Sequence, residues 1–242
     1  MVVKAVIFDW GGTLTPWHEV DGRAAWVAFA RGYGTMACAL NDLTAGLLAA
    51  DQAAWQAARE EHRSSTLAEI LASCGVEPSS AAAEAGLAAY WDFWEPHTLT
   101  HPGVWPVLDA LSSAGLRIGV LSNTTWPRDY HRGLFERDGV ADLIDAEVYS
   151  CEIGVTKPHP DAFRAVLAEL GVSAQEAVFV GDRLHEDVEG AAAVGMRTIL
   201  LEHPMYAGDH LTPSTAVPDD VVRDLSEIVP LLLTDAGSVG RG

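Results

Sequence analysis

The 242-residue chain has little positive charge: fifteen Lys and Arg stand against thirty-four Asp and Glu, for a formal net charge of −19. Only two of those cations are lysines, Lys4 and Lys157. So acidic a surface repels phosphate backbones and anionic headgroups, which excludes nucleic acid and membrane surfaces as expected partners. Long apolar runs are missing too. None reaches the roughly eighteen residues of a membrane span, and the opening run stops at a carboxylate directly after Phe8, unlike a secretion signal. Cysteine is scarce. Cys38, Cys74 and Cys151 form an odd, widely spaced set with no CxxC pair, which suggests neither a disulfide framework nor a zinc site. They read as buried small hydrophobes in a reducing cytoplasm. The nine histidines include no HExxH spacing. What is abundant is apolar bulk. At 49% hydrophobic and 20% charged residues the chain can bury a sizeable core, in one large domain or two small ones.

Val2–Phe8 is a short run rich in β-branched residues that ends at Asp9-Trp10-Gly11-Gly12-Thr13, the pattern of a buried parallel strand followed by a tight loop. Similar runs recur at 117–121, 177–180 and 197–201. Between them, helical patterns at 104–114, 161–170 and 186–194 each end at a glycine, Gly115, Gly171 and Gly195, where a left-handed cap is wanted. Strand, helix, glycine, strand predicts an α/β fold with a doubly wound, Rossmann-like parallel sheet. Residues 16–101 break the rhythm. They are Ala-rich, carry eleven acids and no lysine, and show helical patterns at 22–33, 40–74 and 79–95. The expected organisation is a core of 1–15 and 102–234, an inserted helical domain at 16–101, and a frayed tail at 235–242.

Ligands of open parallel sheets bind beyond the carboxyl ends of the strands. Four groups fall at such ends or in the loops after them: Asp9, Ser122-Asn123, Lys157, and Asp182 with Asp187. Three carboxylates brought together repel unless a cation neutralises them, and an all-oxygen set suits magnesium. Lys157 would add fixed positive charge for a phosphate. Each residue also has an ordinary structural reading. Asp9 fits a turn cap, Ser122 a turn hydroxyl, Lys157 a surface charge, and the Asp182/Asp187 pair a cap for the helix near His185. Their joint order along the chain favours a site.

Four blocks then carry a resemblance: Val-Ile-Phe-Asp-Trp-Gly-Gly-Thr-Leu at 6–14, Val-Leu-Ser-Asn at 120–123, Gly-Val-Thr-Lys-Pro-His-Pro-Asp-Ala-Phe at 154–163, and Val-Gly-Asp-Arg-Leu-His-Glu-Asp-Val-Glu-Gly-Ala at 180–191. The chain resembles the haloacid dehalogenase superfamily, in its phosphatase-like branch with a helical cap. The resemblance implies that Asp9 is the nucleophile that becomes an aspartyl phosphate. It implies that Thr13, Ser122, Asn123 and Lys157 hold the phosphoryl oxygens. Asp9, the Gly11 carbonyl, Asp182 and Asp187 would hold Mg²⁺. The implied protein is a cytoplasmic, magnesium-dependent phosphohydrolase of a small phosphorylated metabolite, monomeric or homodimeric.

One position departs from the pattern. Phosphatases of the family usually have an acid–base aspartate two residues after the nucleophile, and here that residue is Gly11. Three readings stay open: a substrate with a good leaving group, a substitute acid such as His18, or a pocket that binds a phosphometabolite and turns over weakly or not at all. The Gly-Asp-x4-Asp arrangement speaks against dehalogenation. The lysine-free insert excludes a Schiff-base phosphonoacetaldehyde hydrolase. Trp26, Trp55, Trp91 and Trp94 read as packing inside the insert, Trp17 is open between packing and stacking on a substrate, and Arg128 and Arg183 read as solvated.

Overall fold

In the computed structural model, which describes residues 2–203 and 212–234, six strands form one parallel sheet. They are β1 (Ala5–Phe8), β2 (Arg117–Ser122), β3 (Ala146–Tyr149), β4 (Ala177–Gly181), β5 (Arg197–Leu201) and β6 (Asp220–Val222), in the order β3-β2-β1-β4-β5-β6. The expected doubly wound α/β core is present. Two of its strands were not visible as apolar runs. β3 carries Glu147 in its middle, a buried carboxylate satisfied by Arg132 Nη1 at 2.8 Å and by the Tyr149 hydroxyl at 2.8 Å. β6 is only three residues long, at the sheet edge.

The side-chain period of two divides β1 between the two faces of the sheet. Val6 and Phe8 join one apolar cluster and Ala5 and Ile7 the other. The helices that follow β1 are α1 (Gly22–Gly32), α2 (Ala37–Glu61), α3 (Leu67–Ser73) and α4 (Ala81–Trp94); after them come α5 (Val104–Ser113), α6 (Arg128–Arg137), α7 (Ser150–Ile153), α8 (Pro160–Leu170), α9 (Gly190–Ala193) and α10 (Ile228–Thr234). Residues of α5, α6 and α10 pack into the first cluster, and residues of α8 and α9 into the second. Each face of the sheet is therefore covered, which is why the strands read as continuous apolar runs.

The helical insert lies between β1 and β2, as expected, with one correction. The single helix expected over 40–74 is two. His62 turns left-handed at φ 53° and closes α2, while Thr66 opens α3 with a capping box to Glu69. Residues 62–66 are thereby freed to cross onto the core. The helix expected from residue 186 starts earlier, as a π-helical turn at Leu184–Glu189 that runs into α9. The insert also shares its core with the sheet. Trp26, Phe29, Leu47, Leu71 and Tyr90 belong to the same cluster as Val6 and Phe8, and within it Trp126 meets Trp10 at 5.8 Å and donates its indole N–H to the Tyr90 hydroxyl at 3.2 Å. Trp91 and Trp94 do not pack inside the insert alone: Trp91 stacks on Tyr130 of α6 at 3.8 Å, and Trp94 meets Trp126 at 5.1 Å. Nor are the cysteines buried as expected: Cys38 is exposed in the first turn of α2, and Cys74 and Cys151 are only partly buried. Among the described residues no helix is long and apolar enough to cross a membrane. The expected frayed tail at 235–242 lies outside the described residues.

Candidate active site

Phe8 is in register with Val120 on one side and Val180 on the other. The residues that follow each strand therefore emerge along one carboxyl edge: Asp9 after β1, Ser122 at the end of β2, and Asp182 after β4. The chain runs outward from β1 through β2 to β3, then restarts on the other side of β1 at β4. The crevice between β1 and β4 is the topological switch point, where α/β sheets bind ligands. Asp9, Lys157, Asp182 and Asp187 come together there. These four, Thr13 and Ser122 are buried, and Asn123 is partly buried.

Lys157 ties the group together. Its Nζ donates to Asp9 Oδ1 at 2.6 Å and to Asp187 Oδ1 at 2.6 Å. Two of three ammonium donors are thus used, which leaves one for a further acceptor. Asn123 fixes the lysine backbone from both sides: its Oδ1 accepts the Lys157 N–H at 2.7 Å and its Nδ2 donates to the Lys157 carbonyl at 3.0 Å. Asp187 has two duties. Its Oδ2 accepts the backbone N–H groups of Asp182 (3.1 Å) and Arg183 (3.0 Å), which precede the helix, so it is not the helix cap expected from the sequence, while Oδ1 faces the lysine.

Two glycines make this approach possible, and neither was singled out from the sequence. A Cβ on Gly181 would lie 2.4 Å from Asp187 Cγ, and one on Gly190 would lie 2.9 Å from the Pro158 Cα beside the lysine. Their fixed places in the Gly-Asp-x4-Asp-x2-Gly block were the only signal available. At Gly11, by contrast, a Cβ meets nothing within 4 Å. Gly12, next to it, needs its φ of 86°, and its carbonyl accepts from His203 Nε2 at 2.6 Å.

The charges do not balance without a further cation. Asp9, Asp182 and Asp187 each offer a carboxylate oxygen, all within 4.8 Å of one another and all buried. Only one lysine sits among them. Burial pushes the Asp9 carboxyl up to about 6, against the pull of Lys157, and the charge of Asp187 adds to the rise. Burial by itself would favour a neutral lysine, but Asp187 and Asp9 outweigh it and hold Lys157 protonated, above the ordinary lysine value. Three buried carboxylates with oxygen donors only, set against one ammonium and a guanidinium, that of Arg183, already paired with Glu186, fit a hard divalent cation. In the loop that follows Asp9 the Thr13 hydroxyl is buried with no protein partner, a polar atom suited to a ligand oxygen.

Other candidates fall elsewhere. His18 is exposed, and it is held by His97 at 2.7 Å and by the Pro16 carbonyl at 3.2 Å, where the chain passes into the insert. Arg128 forms a two-pronged pair with Glu152 at 3.0 and 2.7 Å. Arg183 does adjoin the site: its side chain is partly solvated, as expected, and paired with Glu186 at 2.8 Å, and its charge reaches Asp9.

A model of the haloacid dehalogenase-like hydrolases matches residues 3–195. Glyceraldehyde 3-phosphate phosphatase of Methanopyrus kandleri is 31% identical over 169 residues, covering 69% of this chain and 72% of the relative. Phosphoglycolate phosphatase of Rhodospirillum rubrum is 32% identical over 210 residues, covering 83% and 80%. In fold, the chain superposes on a HAD phosphatase from Thermococcus onnurineus with a TM-score of 0.64 at 22% identity, over 95% of this chain and 98% of that one. The switch-point carboxylates, the lysine between them and these likenesses agree. The chain belongs to the haloacid dehalogenase-like hydrolases, as a phosphatase-like member with a helical cap inserted in a Rossmann-like core.

Proposed function

We propose that this protein is a magnesium-dependent phosphohydrolase that takes the phosphoryl group of a small metabolite onto Asp9. The reading is carried by one observation: a buried lysine spans Asp9 and Asp187 at 2.6 Å each, with Asp182 in the same cluster. Core residues 1–15 and 102–234 would supply the chemistry, and 16–101 the cap. The names of the two phosphatase relatives, both for small phosphorylated metabolites, support that substrate class.

An Asp9 carboxylate oxygen attacks phosphorus. The bond from phosphorus to the leaving oxygen breaks, the electron pair goes with that oxygen, and it takes a proton from solvent. Water then attacks the phosphorus, the bond to Asp9 breaks, and phosphate leaves as the carboxylate is restored. Lys157 keeps Asp9 ionised and offers its third N–H to a phosphoryl oxygen. Thr13, Ser122 and Asn123 line the same edge; Thr13 and Ser122 would bind phosphoryl oxygens, and Asn123 sets the lysine. Asp9, the Gly11 carbonyl and Asp182 would hold Mg²⁺. Asp187 would act on it from behind, since both its oxygens already serve Lys157 and the two amides. When bound, the metal supplies positive charge that offsets the charge gathering on the transferring group.

The test is phosphate release from p-nitrophenyl phosphate and acetyl phosphate, with Mg²⁺ and with EDTA, in wild type and Asp9→Asn. Metal-dependent release that disappears in the variant is expected. No release from folded wild-type protein, or release that survives Asp9→Asn, would overturn the reading.

A further inference from the structure

The segment between α2 and α3 lies against the two loops that set Lys157. Thr156, the residue before the lysine, is 1% exposed. The insert holds it through both of its donors: its N–H donates to the His62 carbonyl at 3.0 Å, and its hydroxyl donates to the Ala58 carbonyl at 3.0 Å. The Ala58 carbonyl belongs to the last turn of α2, where helix carbonyls lack intrahelical donors, so Thr156 caps that helix end from the core. Arg63 and Val155 form an antiparallel bridge, and the Ser64 N–H donates to the Gly154 carbonyl at 3.0 Å.

A second arm reaches the loop that carries Asn123. The Ser64 hydroxyl donates to Ser150 Oγ at 2.9 Å. Ser150 in turn accepts the Thr124 N–H at 2.8 Å and donates to the Thr124 carbonyl at 3.0 Å. The Leu67 N–H donates to the Thr125 carbonyl at 2.8 Å. Both arms end one residue from the two residues that grip each other, Lys157 and Asn123.

We infer that Thr156 is a positioning residue: seated by the insert's 58–67 segment, it places the Lys157 ammonium between Asp9 and Asp187, so that cap seating and lysine placement are one event. This rests on the phosphohydrolase reading for its kinetic consequence, although the coupling itself does not. Nothing here requires Thr156 to touch substrate. Its effect runs through the backbone of the next residue, and misplacement by about 1 Å costs on the order of 10²-fold in rate.

The test compares Thr156→Val, which keeps the shape and loses the hydroxyl, with Thr156→Ser, which keeps the hydroxyl. Ser64→Ala is a milder probe of the second arm. Three quantities are read: kcat and KM with p-nitrophenyl phosphate and Mg²⁺, thermal stability, and hydrogen exchange of the Lys157 amide against amides of β5. In Thr156→Val, kcat should fall about 10-fold or more with KM held within about twofold, and the Lys157 amide should exchange faster while β5 is unchanged. Thr156→Ser should restore both, and Ser64→Ala should fall between. Lost stability with unchanged kcat and unchanged Lys157 exchange would make Thr156 merely structural and overturn the inference. If wild-type protein releases no phosphate, the exchange arm still decides the coupling, so the two failures are told apart.

Discussion

Replacing Gly11 by Asp adds the group that phosphatases of this family usually carry. The site has room for it: a Cβ there meets nothing within 4 Å, and Gly11, unlike Gly12, is not held at positive φ. The new carboxylate would enter a pocket already holding Asp9, Asp182 and Asp187. Like charges raise its pKa, which favours the protonated form that a general acid needs. A positioned acid is worth about 10²–10⁴ in rate, or roughly 3–5 kcal/mol of barrier. The gain must depend on the leaving group, because protonation helps an alkoxide far more than a nitrophenolate. We therefore expect Gly11→Asp to raise kcat for glycerol phosphate by about 10²-fold or more and to change p-nitrophenyl phosphate turnover by less than about tenfold. Steady-state kinetics on both substrates, with Mg²⁺ affinity and thermal stability measured alongside, give the comparison. Equal changes on the two substrates, or none, in a variant that binds metal and melts like wild type, would refute the reasoning.

Lys157→Met leaves Asp9 and Asp187 buried without their shared partner, which should cost about 3–5 kcal/mol at neutral pH. Burial already holds the Asp9 carboxyl above its ordinary value and loss of Lys157 raises it further, so the variant's stability falls as pH rises. Urea unfolding should show a larger deficit at pH 8 than at pH 5, and equal deficits would contradict the pairing. Gly181→Ala drives a Cβ to 2.4 Å from Asp187 and should destabilise by about 1–3 kcal/mol while lowering kcat; a wild-type melting curve would contradict the close approach. His131 is fully buried, and burial lowers its pKa to about 3. The unfolded chain therefore binds that proton first, and stability drops as pH falls below about 6.5, by roughly 2 kcal/mol at pH 5. His131→Phe should flatten this slope in urea midpoints taken from pH 7.5 to 5.

Much of the site could be read from the chain because its residues sit at positions that the backbone itself marks. Asp9, Ser122 and Asp182 follow short apolar runs that read as buried strands, and Asp187 lies one turn beyond. Gly115, Gly171 and Gly195 mark where helices stop, and all three have positive φ. β3 escaped notice because Glu147 interrupts its apolar pattern, and the reason a buried carboxylate is tolerated there, Arg132 and Tyr149, lies on another element and on a neighbouring position of the same strand. The division of the 40–74 helix was legible in part, since Thr66-Leu67-Ala68-Glu69 is a capping box.

The sequence by itself determined the sheet class and set three carboxylates and a lysine at strand ends and loops, since these depend on residue type and local order, while the departure at Gly11 is visible only against the family pattern that the chain resembles. Only the tertiary structure decided that one ammonium spans two carboxylates and that Asn123 clasps the lysine backbone. It alone showed that Gly181 must lack a side chain and that the insert grips Thr156 from Ala58, a residue 98 positions away. Those are distances between segments remote in sequence, and they come into being only when the sheet brings its strand ends to a common edge.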